Sequence, residues 1–486
     1  MIQSLHILRK DIRHLWLDLS MYAALLIAAA IAIPKSWDPA NLSNTPLHIL
    51  ITLLNVLIPI VWLLLVARVV HDESLVGDTQ FWITRPYAWT SLLSAKLLFL
   101  MLCLILPFAI MQCAMVLQTG TNPLHALPAQ MMRLLKIAII VWLTFTAVAS
   151  VTSTIQRMFM AMVAVVLFWA GALTLVSGAP GPRMAFPFAS EVFGIYLGVL
   201  VLATLVFQFA TRNTLASRVA LMAIAVVFVE LFACLVEGQI QAPFNAFVRH
   251  NYPLSTDASL RLAFDPTSIP SQDAGQGEHR ISALVIARLP IALQGLAPTT
   301  HLNDQNVSFT IDAPGYHYTA PWRPADLEDN SLKIFIPQKA LDAAHGASVH
   351  MHLSEVARRM FPGTPQTILA ADSFHIPENG VCHLLPALSG DNVSCRYAYE
   401  LKSRTMISAA VASGTCIKPE IFHSSLETLA ARPPSTELDP TVEIPLHLGG
   451  AVCPGTPITF TPFHPGENFR LELDIPSISL DRYLAR

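Results

Sequence analysis

"VWLLLVARVVHDESLVGDTQFWITRPYAWTSLLSAKLLFLMLCL", residues 61–104, joins two apolar runs through a polar hairpin. A helix that crosses a hydrocarbon layer of about 30 Å needs about 20 mostly apolar residues, and both flanks extend to that length. Between them lie the acids Asp72, Glu73 and Asp78, the aromatics Phe81, Trp82 and Trp89, and the helix breaker Pro86 after Arg85. A connector needs none of these. The stretch therefore fixes the class as membrane helices whose connections carry the polar chemistry.

Working outward, seven runs read as spans: 19–33, 47–70, 97–117, 134–151, 159–176, 188–210 and 219–236. Each is expected to be a helix, because an open strand in lipid leaves its backbone groups unpaired. Of the 486 residues 53% are hydrophobic and 13% charged, where a soluble domain carries roughly a quarter charged. The charges divide unevenly: 13 Lys+Arg and 8 Asp+Glu up to Val236, then 17 and 25 beyond it. Nothing in this balance points to nucleic acid. The expected fold is an α-helical polytopic membrane domain of about seven transmembrane helices, followed by a mainly antiparallel β-sandwich-like extracytoplasmic domain. The expected domains are an amphipathic interfacial helix at 1–18, a transmembrane domain at 19–236 with its polar hairpin at 71–96, and a β-rich domain at 237–486.

Lys and Arg in short loops favour the cytoplasm. With the N-terminus inside, Arg9, Lys10, Arg13, Arg68, Arg85, Lys96, Arg157, Arg212 and Arg218 are cytoplasmic, and only Lys35, Arg133, Lys136 and Arg183 are outside. Seven spans then place everything after Val236 outside a cell inner (plasma) membrane. The cysteines agree. Cys103, Cys113 and Cys234 lie in or at spans, whereas Cys382, Cys395, Cys416 and Cys453 form an even set in the polar half, as disulfides in an oxidising compartment do. Locality favours Cys382–Cys395 and Cys416–Cys453 among the three possible pairings.

Ahead of the first span, Leu5, Leu8, Ile12, Leu15, Trp16 and Leu19 recur at helical spacing, with Arg9, Lys10, Arg13 and His14 elsewhere. This is an amphipathic helix lying in the headgroup layer, with Trp16 at the interface. In the hairpin, Phe81, Trp82 and Trp89 are anchors of the kind that dominate interfaces. Thr90 or Ser91 is placed to cap the next helix, and Lys96 to reach back to the membrane surface.

The stretch "VVHDESLVGDTQFWITRPYAWTSLLSAKLLFLMLCL", residues 69–104, resembles the permease subunits of ATP-binding-cassette transporters of the ABC-2 type. The matching residues are Asp72, Glu73, Gly77, Phe81, Trp82, Thr84, Arg85, Pro86, Leu92, Leu93 and Lys96. "AVASVTSTIQRM", residues 147–158, is similar to the cytoplasmic turn after that family's fourth span. The resemblance covers roughly the first half of the chain. It implies that Asp72, Glu73, Gly77, Phe81, Trp82, Arg85 and Pro86 couple the chain to a separate ATP-binding cassette ATPase subunit. It also implies that two permease subunits, identical or related, form the path. The usual family member has six spans and no large acidic β-rich domain.

Pro59 and Pro107 are expected to kink their spans. Asn55, Gln112 and Glu230 are polar at or near membrane depth and are functional candidates for that reason. "GIYLG", Gly194 to Gly198, permits close helix packing. Beyond Glu237, alternating runs at 307–311, 333–337, 347–353, 441–448, 458–463 and 469–475 read as strands, and 353–361 as a helix packed on them. His350 and His352 share a strand face without a third ligand at a typical spacing, so no metal is expected.

There is no G-x-x-x-x-G-K-[ST], so the chain holds no P-loop, and no G-x-S-x-G or H-E-x-x-H. The expectation is a transport subunit without an active site or cofactor of its own, contacting membrane lipid. The alternative is a membrane-anchored extracytoplasmic binding or signalling protein without transport activity.

Overall fold

The computed structural model describes residues 2–38, 41, 44–73, 88–177, 187–236, 242–268, 284–297, 300–324, 327–328, 331–376, 380–384, 393–398, 406–411, 438–446 and 455–484. The chain separates into two compact units. The first contains Met1–Leu167, Ala189–Val227 and Gly363–Pro462; the second contains Phe168–Phe188, Phe228–Pro362 and Phe463–Arg486. This grouping does not follow a single boundary at Glu237, because a late segment of the chain returns to the helices.

Helices run α1 Ile2–His14, α2 Trp16–Lys35, α3 Thr45–His71, α4 Trp89–Phe99, α5 Leu106–Gln118, α6 Pro123–Ile137, α7 Thr144–Val151, α8 Ile155–Ser177, α9 Pro187–Thr211 and α10 Thr214–Val236. Among the described residues five helices are long and apolar enough to cross a membrane: Trp16–Lys35, Thr45–His71, Trp89–Gln118, Ala126–Val151 and Gly194–Thr211. The N-cap signals are local. Asn44 Oδ1 accepts from the Leu47 amide at 3.2 Å and Asn122 Oδ1 from the Leu124 amide at 3.0 Å, each capping a helix with proline in its first turn. By contrast α4 begins at Trp89, with Ala88 before it and no side-chain cap. Thr90 and Ser91 therefore lie inside the helix, not at its cap.

Two of the long helices are interrupted by π-helical turns, Leu100–Ile105 between α4 and α5 and Ala138–Leu143 between α6 and α7. The first ends beside Pro107, which donates no hydrogen bond and crowds the carbonyl four residues back; widened turns relieve that crowding. The glycine pair of α9 packs on the second. A Cβ at Gly198 would lie 2.2 Å from Ile139 Cγ2, and one at Gly194 would lie 3.6 Å from Ile140 Cδ1. The close approach expected of that motif is thus made within the subunit.

The β-rich part is mainly antiparallel. In the second unit, Val349–Pro362 lies between His301–Ala313 and the long strand Pro457–Ile478. Val349, Met351, Leu353 and Ala357 face a core shared with Leu289, Ile291, Ile334 and Ile336. The helix expected at 353–361 is therefore a strand. Its Glu355 and its Arg358–Arg359 pair broke the apolar alternation in the sequence, but pairing on both sides holds the segment extended. In the first unit, Ser373–Ile376, Gly380–Leu384, Val393–Ala398 and Thr441–Leu446 form a four-stranded antiparallel lobe. Cys382 and Cys395 stand directly opposite each other there and form a disulfide, the first of the two local pairings. Cys416 and Cys453 lie outside the described residues.

Candidate functional site

The polar hairpin is tied down at both of its bases. The inner face of α1 is Ser4, Ile7, Leu8 and Asp11, continued by Leu15 just past its end, all buried, so one carboxylate travels into the helical body on a mainly apolar stripe. α3 delivers Glu73 just past its last turn, and α4 delivers Lys96 about two turns from its start. Lys96 Nζ lies 2.8 Å from Asp11 Oδ2 and 2.9 Å from Glu73 Oε2, and Lys10 Nζ lies 2.7 Å from Glu73 Oε1. The side chains of Asp11, Glu73 and Lys96 are 0%, 4% and 2% exposed. Two acids and two ammonium groups balance, and balance is what permits such burial. Burial pushes the Asp11 carboxyl above the usual aspartate range, with Lys96 pulling the other way. Burial would also raise Glu73, but Lys96 and Lys10 together hold it below the usual glutamate range. Around this clamp, Arg68 pairs with Asp18, and His14 lies 3.6 Å from Asp72.

The same end of the body gathers the last carbonyls of α7, which no helix satisfies internally. His71 Nε2 donates to Ala149 O at 3.1 Å, Gln208 Nε2 to Ser150 O at 3.3 Å, and Arg218 Nε and a terminal guanidinium nitrogen to Val151 O at 3.0 and 2.8 Å. Residues 147–158, singled out in the sequence, thus meet α3, α9 and α10 where those helices end or begin.

The other end of the body receives the disulfide lobe. Leu438 is buried in the helical core with Tyr22, Trp62, Phe108 and Trp142. Asp439 Oδ2 accepts from Trp37 Nε1 and from Arg396, both at 3.3 Å, and the Arg396 guanidinium lies 5.6 Å over the Trp37 ring. Arg133 donates to the Asp439 carbonyl, and Gln130 to that of Pro440 at 3.2 Å. At the turn after α5, Gly120 has φ +71 and leaves no room for a Cβ beside His375. The clamp and the lobe therefore sit at opposite ends of the same helices.

Of the residues singled out in the sequence, Asp72 and Glu73 lie at the clamp. Gly77, Phe81, Trp82, Arg85 and Pro86 lie outside the described residues. Trp16 is 63% exposed. Lys96, expected to reach the surface, is instead buried by its two acids. Asn55 spends its amide on Ile51 O of its own helix at 3.0 Å, Glu230 is on an exposed face of α10, and Gln112 is buried. His350 bonds Asp474 at 2.8 Å and Asp312 at 3.4 Å, an imidazole–carboxylate ladder on an open sheet face. Among the described residues no group of three His, Cys, Asp or Glu is arranged to hold a metal ion.

Sequence reasoning passed over Asp11, Lys10 and the Trp37–Asp439 junction. Asp11 had a signal: it stands at helical spacing from Ile7, Leu8 and Leu15, and an acid on an apolar stripe needs a buried cation. The junction had none, because its partners are far apart in the chain. Comparison with family models, with curated proteins and with solved structures finds no match.

Proposed function

We propose that this chain is the membrane-spanning subunit of an ATP-driven transporter of the ABC-2 type, energised by a separate ATPase subunit that docks on the hairpin 71–96. The observation that carries this reading is the buried clamp. A loop anchored by charges to α1, α3 and α4 at once passes a push or pull on its tip to three helices, whereas an untethered connector would absorb it. Seven spans, with α8 and α10 completing the count, put the clamp end in the cytosol and the β-rich parts outside the inner membrane. The disulfide supports that side for the lobe. ATPase closure then shifts the balance between two packings of the helices, and the lobe, seated on the outer ends of α2, α5 and α6, caps the outward opening. Two copies, or one copy and a related chain, complete the path.

The test is co-purification from native membranes in mild detergent. Trp82→Ala and Arg85→Glu are each expected to insert normally and to lose a nucleotide-binding partner that accompanies the unaltered chain. A partner retained by both variants, or none with the unaltered chain, removes the coupling role and favours a membrane-anchored binding protein.

A further inference from the structure

Between the clamp and the lobe, the helical core contains polar groups that have no hydrogen-bond partner among the described residues. Gln112 is 1% exposed, and among the described residues neither its Nε2 nor its Oε1 has a hydrogen-bond partner. It lies on the buried face of α5, one turn from Phe108 and flanked by Met111 and Met115. The Phe108 ring meets Trp62 at 5.3 Å and Trp142 at 6.1 Å, both edge-on, and Trp62 meets Trp142 at 5.1 Å. Trp62 has used its indole N–H on Tyr22 Oη at 3.0 Å, and Tyr22 has used its hydroxyl on the Leu104 carbonyl at 3.1 Å, inside the first π-helical stretch. Trp142 is in the second π-helical stretch and 1% exposed, and among the described residues its Nε1 has no hydrogen-bond partner.

Two amide N–H donors, one amide acceptor and one indole donor thus face an apolar core. A polar group left unpaired among apolar side chains is costly, and π-helical turns recur at functional sites. The neighbouring core side chains also say what would fit. Phe108, Met111 and Met115 take an acyl stem. A charged head there would be desolvated among apolar side chains. The amide oxygen asks for a hydroxyl, and the N–H groups ask for carbonyl oxygens.

We propose that Gln112 and Trp142 form a binding site for an uncharged, glycerolipid-like amphiphile, with a hydroxyl and neighbouring carbonyl groups on an acyl stem. As a substrate assignment this rests on the transport reading; as a binding site it stands without it. The experiment uses the full chain in phosphatidylcholine nanodiscs and radiolabelled dioctanoylglycerol, and measures uptake above that of chain-free discs, with no ATPase present. Saturable binding is expected for the unaltered chain and for Gln118→Leu, at the exposed end of α5. Gln112→Leu and Trp142→Phe, which keep the core apolar, are each expected to bind about tenfold more weakly. No saturable component in the unaltered chain, or binding of wild-type strength by either variant, would overturn the site. Because no ATPase is present, either outcome leaves the coupling test independent.

Discussion

Glu73 and Glu355 are the same residue in nearly the same degree of burial, 4% and 1% exposed, yet they sit in opposite electrostatic situations. Glu73, in the helical unit, is gripped by Lys96 and Lys10 and is held below the usual glutamate range although burial alone would raise it. Glu355, in the β-rich unit, lies in the strand Val349–Pro362 between Val307 and Leu471, and among the described residues neither of its oxygens has a hydrogen-bond partner. Burial pushes it up to about 8. In the same cross-strand row Arg323 is also buried, its own value lowered to about 10 by burial, but it spends a guanidinium N–H on the Phe335 carbonyl at 3.4 Å. The difference teaches that two similarly buried glutamates part company on whether a cation grips them: the paired one is pulled toward its ionised form and the unpaired one toward its protonated form. The helical unit uses the first state to hold a loop.

The sharpest way to break the contrast is to make the paired acids unpaired. Lys96→Met leaves Asp11 without its main cation and Glu73 with Lys10 alone. Removing one partner of a buried pair costs about 3–5 kcal/mol, so the helical unit is expected to lose that much in thermal or denaturant unfolding of the purified chain. Asp11→Asn added to Lys96→Met is expected to recover part of it. Wild-type stability in Lys96→Met would mean the clamp holds nothing.

A smaller and pH-dependent effect sharpens the other side. Glu355 has a folded value near 8 against an ordinary value of 4.5. The unfolded chain therefore releases the proton first. The stability contributed by the protonated carboxyl is fully present below about pH 4.5 and is lost as pH rises through 8, by about 1.4 kcal/mol per unit at steepest. Hydrogen exchange of Val349–Pro362 in the full chain, corrected for its intrinsic pH dependence, is expected to lose protection over that window. Glu355→Gln is expected to flatten the loss, and the same slope in both proteins would show that another group titrates.

The sequence was most legible where physics is local. Long apolar runs depend on neighbours within a few turns, and among the described residues five of the helices are long and apolar enough to cross a membrane. The Gly194–Gly198 motif marked a close approach, but not its partners Ile139 and Ile140, which are distant in the chain. The strands at 307–311, 333–337 and 469–475 were legible because their alternation is uninterrupted. Residues 353–361 were misread because Glu355 stands where an apolar residue belongs. The clamp was half legible: Glu73 and Lys96 belong to the hairpin motif, but Asp11 lies 85 positions from Lys96. The lobe's return to the helices was not legible at all, since Trp37 and Asp439 are 402 positions apart and nothing local marks either as a contact.

Everything functional depends on the hairpin and the disulfide lobe facing different compartments. Single cysteines at Gln80, in the hairpin, and at Thr367, on the strand Gln366–Leu369 in the same unit as the lobe, are placed in a chain whose cysteines other than Cys382 and Cys395 are serine, and a membrane-impermeant maleimide is applied to intact cells and to inverted vesicles. The account predicts that Thr367→Cys reacts only in intact cells and Gln80→Cys only in inverted vesicles. Labelling of both positions from the same side would contradict it.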